Sequence, residues 1–453
     1  MTPIIAERPN LSTLFLFCTF VINRGEKVLD KFGRIKIIEA LKKREYPSQS
    51  LKIPVNFNKH ISMKKVLATT IFAAAALSAN AAPLVTIGDQ LDVFFNGKAM
   101  GQWNSNITST GRGNKINDYS GTLRLGMEAD YGRNSKFKAN VKFFEDLTRY
   151  AEHKEFNSNL SHVKAVASYT EQVLKIDANF SFDQCYNNTQ TTINAGDLVR
   201  YNDFKAGINA TYNFSEKLDG ELGGNWQNID YLGNWSNRYS SYDSFSIPLS
   251  LLYRITPKIS AGLTYQYRYT EFNGGSIYDT LYGGKSRDDH FGGVTVRGEL
   301  LPKLTASIFA GATYRSTSGG IGVDDETTMT FRANLNYEVS EKLGVFATGY
   351  RDFGNGASRQ SSVDTGCEVG ANYYISEFLR STASFSYEYS DYGVYYYTRT
   401  RDDDTYIGRI GISYLPNKYI TLAANYRFIN NSSSLENCTY NQHLVDISVS
   451  VKY

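Results

Sequence analysis

The sequence predicts an all-β fold: a transmembrane, antiparallel, up-and-down β-barrel of about 18 strands, with 16 as the other count the pattern allows. Three observations predict it. The first is the final stretch, residues 445–453. Val445, Ile447, Val449, Val451 and Tyr453 share one parity, and Asp446, Ser448, Ser450 and Lys452 share the other. Strict alternation puts the apolar set on one face of a strand. A closing aromatic suits the membrane–water interface, and pairing with the first strand would remove the open edge. The second is recurrence. Tyr131, Tyr169, Tyr212, Tyr253, Tyr337, Tyr373, Tyr414 and Tyr453 end similar phrases, with Leu300 in the one vacant place. A period of about 40 residues with one short turn per period is a repeated hairpin. The third is that connections alternate between short and long. That suits a membrane barrel with its short turns in the periplasm, and a secreted soluble sandwich has no reason for it.

The barrel is expected to occupy residues 82–453. Ahead of it, Met63-Lys64-Lys65 opens a charged segment, residues 66–77 are apolar, and Ala79-Asn80-Ala81 forms a small-residue cleavage site. Residues 63–81 thus read as a signal peptide cut between Ala81 and Ala82. Residues 1–62 read either as the product of a start codon placed too far upstream or as an extended leader. Their apolar run, residues 11–22, is too short to span a bilayer. The leader is strongly basic. The formal net charge of +3 therefore belongs to it, the mature chain is acidic, and nucleic acid is excluded as a partner on this ground.

Tyr (34) and Phe (26) are abundant, yet the mean hydropathy is polar, at −0.37. The mature chain has no apolar run near ~20 residues, so no transmembrane helix is expected. After cleavage Cys185, Cys367 and Cys438 remain. An odd count gives no disulfide framework. Cys185 and Cys438 fall in expected outer loops and are able to pair in an oxidising compartment. Cys367 shares parity with Val369 and Ala371 and is expected to face lipid.

In chain order, the first strand is expected at residues 91–104 and the second at residues 118–130. The second sets Leu123, Leu125, Met127 and Ala129 against Thr122, Arg124, Glu128 and Asp130. The third and fourth are the least regular. Later pairs are clear. Ile247, Leu249, Leu251 and Tyr253 precede Ile259, Ala261, Leu263 and Tyr265. Met329, Phe331, Ala333, Leu335 and Tyr337 precede Leu343, Val345 and Ala347. Tyr350 then falls on the opposite parity, which predicts a bulge or a different face there. Trp226, Tyr265, Tyr314, Tyr387 and Tyr426 form a second aromatic series, so two girdles are expected.

Residues 255–270 read Ile-Thr-Pro-Lys-Ile-Ser-Ala-Gly-Leu-Thr-Tyr-Gln-Tyr-Arg-Tyr-Thr. With residues 301–314 and 415–426, this stretch resembles the outer-membrane β-barrel porins sometimes called beta-barrel porin type 2. The resemblance covers about residues 195–453 and rests on short repeats. It implies the barrel and, because some members are associated with exopolysaccharide export, a link to polysaccharide. It carries no functional residue over.

Two sets of charged residues are candidates for function. Acids cluster near the expected outer rim: Asp288 and Asp289; Asp324, Asp325 and Glu326; Asp402, Asp403 and Asp404. Crowded carboxylates can hold Ca²⁺ or Mg²⁺ that bridge lipopolysaccharide phosphates, or draw cations to the mouth. Solvated loop acids are the plainer reading of each alone. The lumen-facing parity carries Arg124, Glu128, Lys175, Glu221, Arg268, Arg297, Glu299, Arg315, Arg332, Glu368, Arg409 and Arg427. Mixed charge lining water suits a diffusion pore for small polar solutes. His290 beside Asp288 and Asp289 mimics a catalytic pair, but neighbours on an extended chain point apart, and no nucleotide or zinc motif is present. The expectation is a non-enzymatic outer-membrane channel without cofactors. It would sit in lipid and lipopolysaccharide after insertion by the barrel assembly machinery. The alternative is a structural or adhesive barrel with a plugged lumen and partner-binding loops.

Overall fold

The computed structural model describes residues 83–453 apart from 112, 114, 189–197 and 396–398. The leader and the cleavage site at Ala81 and Ala82 lie outside the described residues.

The strands are β1 (Val85–Ile87), β2 (Leu91–Asn104), β3 (Asp118–Tyr131), β4 (Phe137–Tyr150), β5 (Ser158–Thr170), β6 (Leu174–Asn187) and β7 (Val199–Asn213). They continue as β8 (Leu218–Tyr231), β9 (Ser240–Thr256), β10 (Ile259–Gly274), β11 (Ser286–Leu301), β12 (Leu304–Ser318) and β13 (Glu326–Glu338). The last are β14 (Leu343–Asn355), β15 (Ser361–Tyr374), β16 (Leu379–Tyr395), β17 (Arg399–Tyr414), β18 (Ile420–Ser433) and β19 (Tyr440–Lys452). A short helix, α1 (Ile277–Tyr282), sits between β10 and β11.

From β2 onward each strand pairs antiparallel with the next. β19 returns to β2, from Leu444 opposite Asn104 to Lys452 opposite Asn96, which closes a ring of 18 strands. β1 was not expected. It pairs with β2 at residues 91–93, on the edge that β19 has just vacated. Tyr453 exchanges both backbone hydrogen bonds with Phe95, one step before β1 begins.

Register carries one parity round the whole ring. Salt bridges between strands that are not neighbours identify the concave face: Arg297 on β11 meets Glu221 on β8 at 2.6 Å, and Arg409 on β17 meets Glu368 on β15 at 3.1 Å. The apolar parity therefore points outward, where Leu249, Leu263, Met329 and Ile410 are all more than half exposed. That band suits hydrocarbon, because the closed ring leaves no open strand edge facing it.

Strands run further than alternation suggested. β11 starts at Ser286 and β17 at Arg399, so Asp288, Asp289, Asp402, Asp403 and Asp404 lie in strands and not in loops. Beyond the apolar band no lipid demands an apolar face, so the alternation fades while the hydrogen-bond ladder continues. The connection between β14 and β15 shrinks to residues 356–360.

The parity break at Tyr350 is a face and not a bulge. Pairing of β14 with β15 is unbroken from Leu343 opposite Tyr373 to Asn355 opposite Ser361. Tyr350 points inward and donates its hydroxyl to Glu388. Its ring covers Gly366, its cross-strand partner. A Cβ there would lie 2.6–2.8 Å from Tyr350 atoms. Phe346 covers Gly370 in the same way. Aromatic cover of a strand glycine restores the packing that its missing side chain forfeits.

Cys185 lies within β6 rather than in a loop, Cys438 ends a short 3-10 turn, and none of Cys185, Cys367 and Cys438 is in a disulfide. The one buried apolar cluster among the described residues is Val199, Ile229, Tyr231, Tyr239 and Ala357. It joins β7, β8 and the β8–β9 connection to the β14–β15 connection, which lies far round the ring.

Candidate functional site

The twelve residues expected to line the lumen all fall on the inward parity, and most are paired. Arg124 grips Asp146 with two hydrogen bonds of 2.6 and 2.7 Å. Glu128 is buried and accepts from Asn96 and Asn140, with Lys142 at 3.2 Å and Lys452 at 3.1 Å. Lys175 meets Asp177 at 2.7 Å, Glu299 meets Lys258 at 2.6 Å, and Arg332 meets Asp352 at 2.6 Å. Glu221 and Arg297, and Glu368 and Arg409, form the cross-wall pairs given above. Arg427 stands directly opposite Arg409 on the neighbouring strand and makes no ion pair among the described residues.

The acidic rim is not one site. Strand alternation splits the runs at 288–289 and 402–404 between two faces. Asp289 and Asp403 turn inward and are buried against arginine: Asp289 by Arg268 and Arg315, Asp403 by Arg401. Asp288, Asp402 and Asp404 turn outward and accept hydroxyl protons from Tyr267, Tyr389 and Tyr387. Asp324 and Asp325 precede β13, and the Tyr314 hydroxyl holds the Asp325 carboxyl below its ordinary range. Glu326 opens β13 and accepts from Ser361 at 3.2 Å. No three of these or other acidic, His or Cys side chains converge on a metal position among the described residues. His290 points outward to Tyr265 at 2.8 Å, away from Asp289, while Asp288 on its own face is bound by Tyr267, so the apparent Asp–His pair does not form.

Two inward-folded connections, which the plugged-lumen alternative allowed without locating, dominate the long-connection end. The first is the β14–β15 tip, where Ala357, Ser358, Arg359 and Gln360 are buried. Arg359 donates to the Ser240 hydroxyl (2.9 Å) and to the carbonyls of Gly284 (3.0 Å) and Gly274 (2.7 Å). Burial lowers its pKa from the usual guanidinium value. The Ser240 N–H donates back to the Ala357 carbonyl at 2.8 Å. Arg287, fully buried, donates to the Asn355 side chain and the Arg359 carbonyl. Arg315 donates to the Gly354 carbonyl at 2.9 Å and the Ser361 hydroxyl at 3.0 Å. Phe353 lies under Arg315, and Phe272 under Arg287, with each guanidinium within 5 Å of the ring centre. Ser240 begins β9, so the tip spans a chord of the mouth.

The second lies between β2 and β3, at residues 105–111. Asn106 is fully buried and donates to the carbonyls of Thr110 (2.8 Å) and Asn441 (3.0 Å). Gln442 donates to the Asn106 carbonyl at 2.8 Å and the Asn104 side chain at 3.0 Å. Asn188, from the β6–β7 connection, donates to the Thr108 carbonyl at 2.6 Å. One cap is built on guanidinium groups and the other on amides. Side chains alone do not fill so wide a ring; these caps add backbone to its interior at that end.

The caps left a faint trace in the sequence. The glycine pairs at 274–275 and 283–284 free the backbone to approach, and carbonyls from both pairs receive Arg359.

No protein-family model and no curated protein matches the chain. Similar solved structures include OpdK, an outer membrane protein of Pseudomonas aeruginosa. Pseudomonas aeruginosa OpdK, crystallised with vanillate, is 9% identical over 80% of this chain and 99% of its own, with a TM-score of 0.44. Acinetobacter baumannii OccAB3 is 11% identical over 81% and 100%, with a TM-score of 0.43. Pseudomonas aeruginosa OpdL is 12% identical over 81% and 99%, with a TM-score of 0.42. At these identities nothing of their solutes transfers to this chain.

Proposed function

We propose that the protein is a porin-like channel of a Gram-negative outer membrane, passing small polar solutes by passive diffusion through a mouth narrowed by the two caps. The observation that carries this reading is the inward β14–β15 tip, pinned by Arg287, Arg315 and Arg359 across a ring with a charged inner wall. A wall of mixed charge keeps water and polar solutes in the lumen, while the outward apolar band keeps the barrel in lipid. In this reading the twelve wall residues line the path, and the long-connection end faces outside. Lipid and lipopolysaccharide surround the band, and the assembly machinery inserts the chain after its leader is removed. The resemblance to type 2 β-barrel porins supports the barrel. Polysaccharide export has no support of its own and is not part of the reading, and no enzymatic step is invoked.

The extent of the caps also favours a second reading, in which the lumen is plugged and the loops bind partners. Conductance in a planar bilayer separates the two. The refolded mature chain is expected to conduct, and replacing residues 356–360 by two glycines is expected to raise conductance severalfold. Conduction only after the replacement would favour the plugged barrel. No conduction in either protein would overturn the channel.

A further inference from the structure

We infer that His162 is a proton-operated element of the inner wall that shifts the ion selectivity of the channel between neutral and mildly acid pH. The inference rests on the channel reading above. Its starting point is an unsatisfied atom. His162 points inward from β5, between Asp146 of β4 and Asp183 of β6, and its side chain is only 13% exposed. Its Nδ1 lies 2.7 Å from Asp183 Oδ1. An ionised carboxylate only accepts, so in the neutral ring the single proton sits on Nδ1. Nε2 is then a bare acceptor. It is buried without a hydrogen-bond partner, and the nearest carboxylate oxygen, Asp146 Oδ2, is 3.7 Å away. A lone pair aimed at a carboxylate, with no donor between them, is a costly arrangement inside a wall.

One proton corrects it. Bound at Nε2, it turns a bare acceptor into a donor directed at Asp146. Both Asp146 oxygens are already held by Arg124, whose guanidinium also lies over Phe144, 4.1 Å from the ring centre. His162 stacks on Phe144, with ring centres 4.7 Å apart. Arg124, Phe144, Asp146 and His162 therefore form one packed unit on β3, β4 and β5. A protonated His162 competes with Arg124 for Asp146 and adds a positive charge to the wall. The other charged groups facing this unit are Lys98 on β2, opposite Arg124, Lys142 on β4, Lys164 on β5 itself, and Asp203 on β7, already paired with Lys205 at 2.6 Å. None supplies a donor to Nε2. Histidine is the side chain that ordinarily changes charge between pH 5 and 8. A single added charge in a narrow, partly desolvated passage alters the local ion concentration.

The other described histidines do not share this geometry. His153 lies against Asp118 at the mouth, and His290 and His443 point outward to Tyr265 and Tyr426.

The test is the reversal potential under a KCl gradient at pH 8.0 and pH 5.5, for the refolded wild type, His162→Gln and His153→Gln. The chloride-to-potassium permeability ratio of the wild type is expected to rise about twofold at the lower pH. His153→Gln should retain the rise and His162→Gln should lose most of it. An equal rise in all three proteins, or none in the wild type, would overturn the inference. A barrel that conducts nothing would defeat the channel reading itself. The wall element is then decided by ¹⁵N NMR of the imidazoles in the refolded wild type, with the His162 signals identified by their loss in His162→Gln. One protonated ring nitrogen at pH 8.0 and two at pH 5.5 would support the element. An unchanged imidazole would sink it. The same spectra decide the matter if His162→Gln folds poorly, with His162→Asn then supplying the missing signal.

Discussion

Arg315 and Asp289 face each other across β12 and β11 through two parallel hydrogen bonds, 2.7 and 2.9 Å long, and neither side chain is more than 1% exposed. Arg268 reaches the same carboxylate at 2.6 Å. One acid is thus shared by two arginines, and both arginines hold backbone carbonyls of the β14–β15 hairpin, Phe353 and Gly354. Asp289→Asn would leave Arg315 without its carboxylate and Arg268 with only Asp352, 3.8 Å away. Breaking a buried pair from one side typically costs ~3–5 kcal/mol. A refolding titration in guanidinium chloride should show a loss of that size. Protease should also cut more readily at residues 356–360. A loss below ~1 kcal/mol would mean that the hairpin is held by other contacts.

Leu249→Arg places a charge on the outward band and should cost ~2–4 kcal/mol near the bilayer midplane. Ser250→Arg, on the next residue, points inward and should be far milder. It loses one hydroxyl contact of 2.9 Å to Thr264 and gains access to water. Equal losses in the same titration would contradict the assignment of faces.

The difference between those neighbours shows what was legible in the sequence. Parity is local, because Leu249 and Ser250 announce their faces within one strand. Closure was legible for the same reason, since Val445, Ile447 and Val449 needed a partner face and found Trp103, Gly101 and Ala99. The caps were not legible. Arg359 meets Ser240 over a separation of 119 residues, and nothing near Arg359 encodes that contact. The rim was misread because runs such as Asp402, Asp403 and Asp404 look like loop acids where strand and loop have similar composition. His162 was hidden because its two carboxylate neighbours come from other strands. Tyr350 could have been placed. Phe346 and Tyr350 are spaced four apart, as are Gly366 and Gly370 opposite them, and antiparallel pairing matches the two sets.

That match is itself testable. Gly366→Val would push against the Tyr350 ring and should destabilise by ~1–3 kcal/mol, as overpacking does. Tyr350→Ala should also destabilise by uncovering Gly366. The double variant should lose less than the two single losses combined, since removing the ring makes room for the valine. Additive losses in a denaturant titration would show that the two residues do not act as a pair.

Thiol chemistry checks a different part of the fold. Cys185, Cys367 and Cys438 form no disulfide, so the unfolded, unreduced mature chain should titrate three thiols. One thiol would mean that Cys185 and Cys438 had joined. In the folded barrel, Cys367, outward and exposed, should react with an apolar maleimide from the lipid phase sooner than buried Cys438 does.

β1 and β19 follow one another along the same edge of β2, with Val85 opposite Val93 and Tyr453 opposite Phe95. The start of the described chain and its end are thus nearly spliced into one continuous strand. Hydrogen bonding makes no distinction between this seam and any other, so the barrel is a cyclic object written out linearly. A few residues of linker would suffice to join the ends, and a new opening cut at a short turn such as residues 375–378 would leave the same ring.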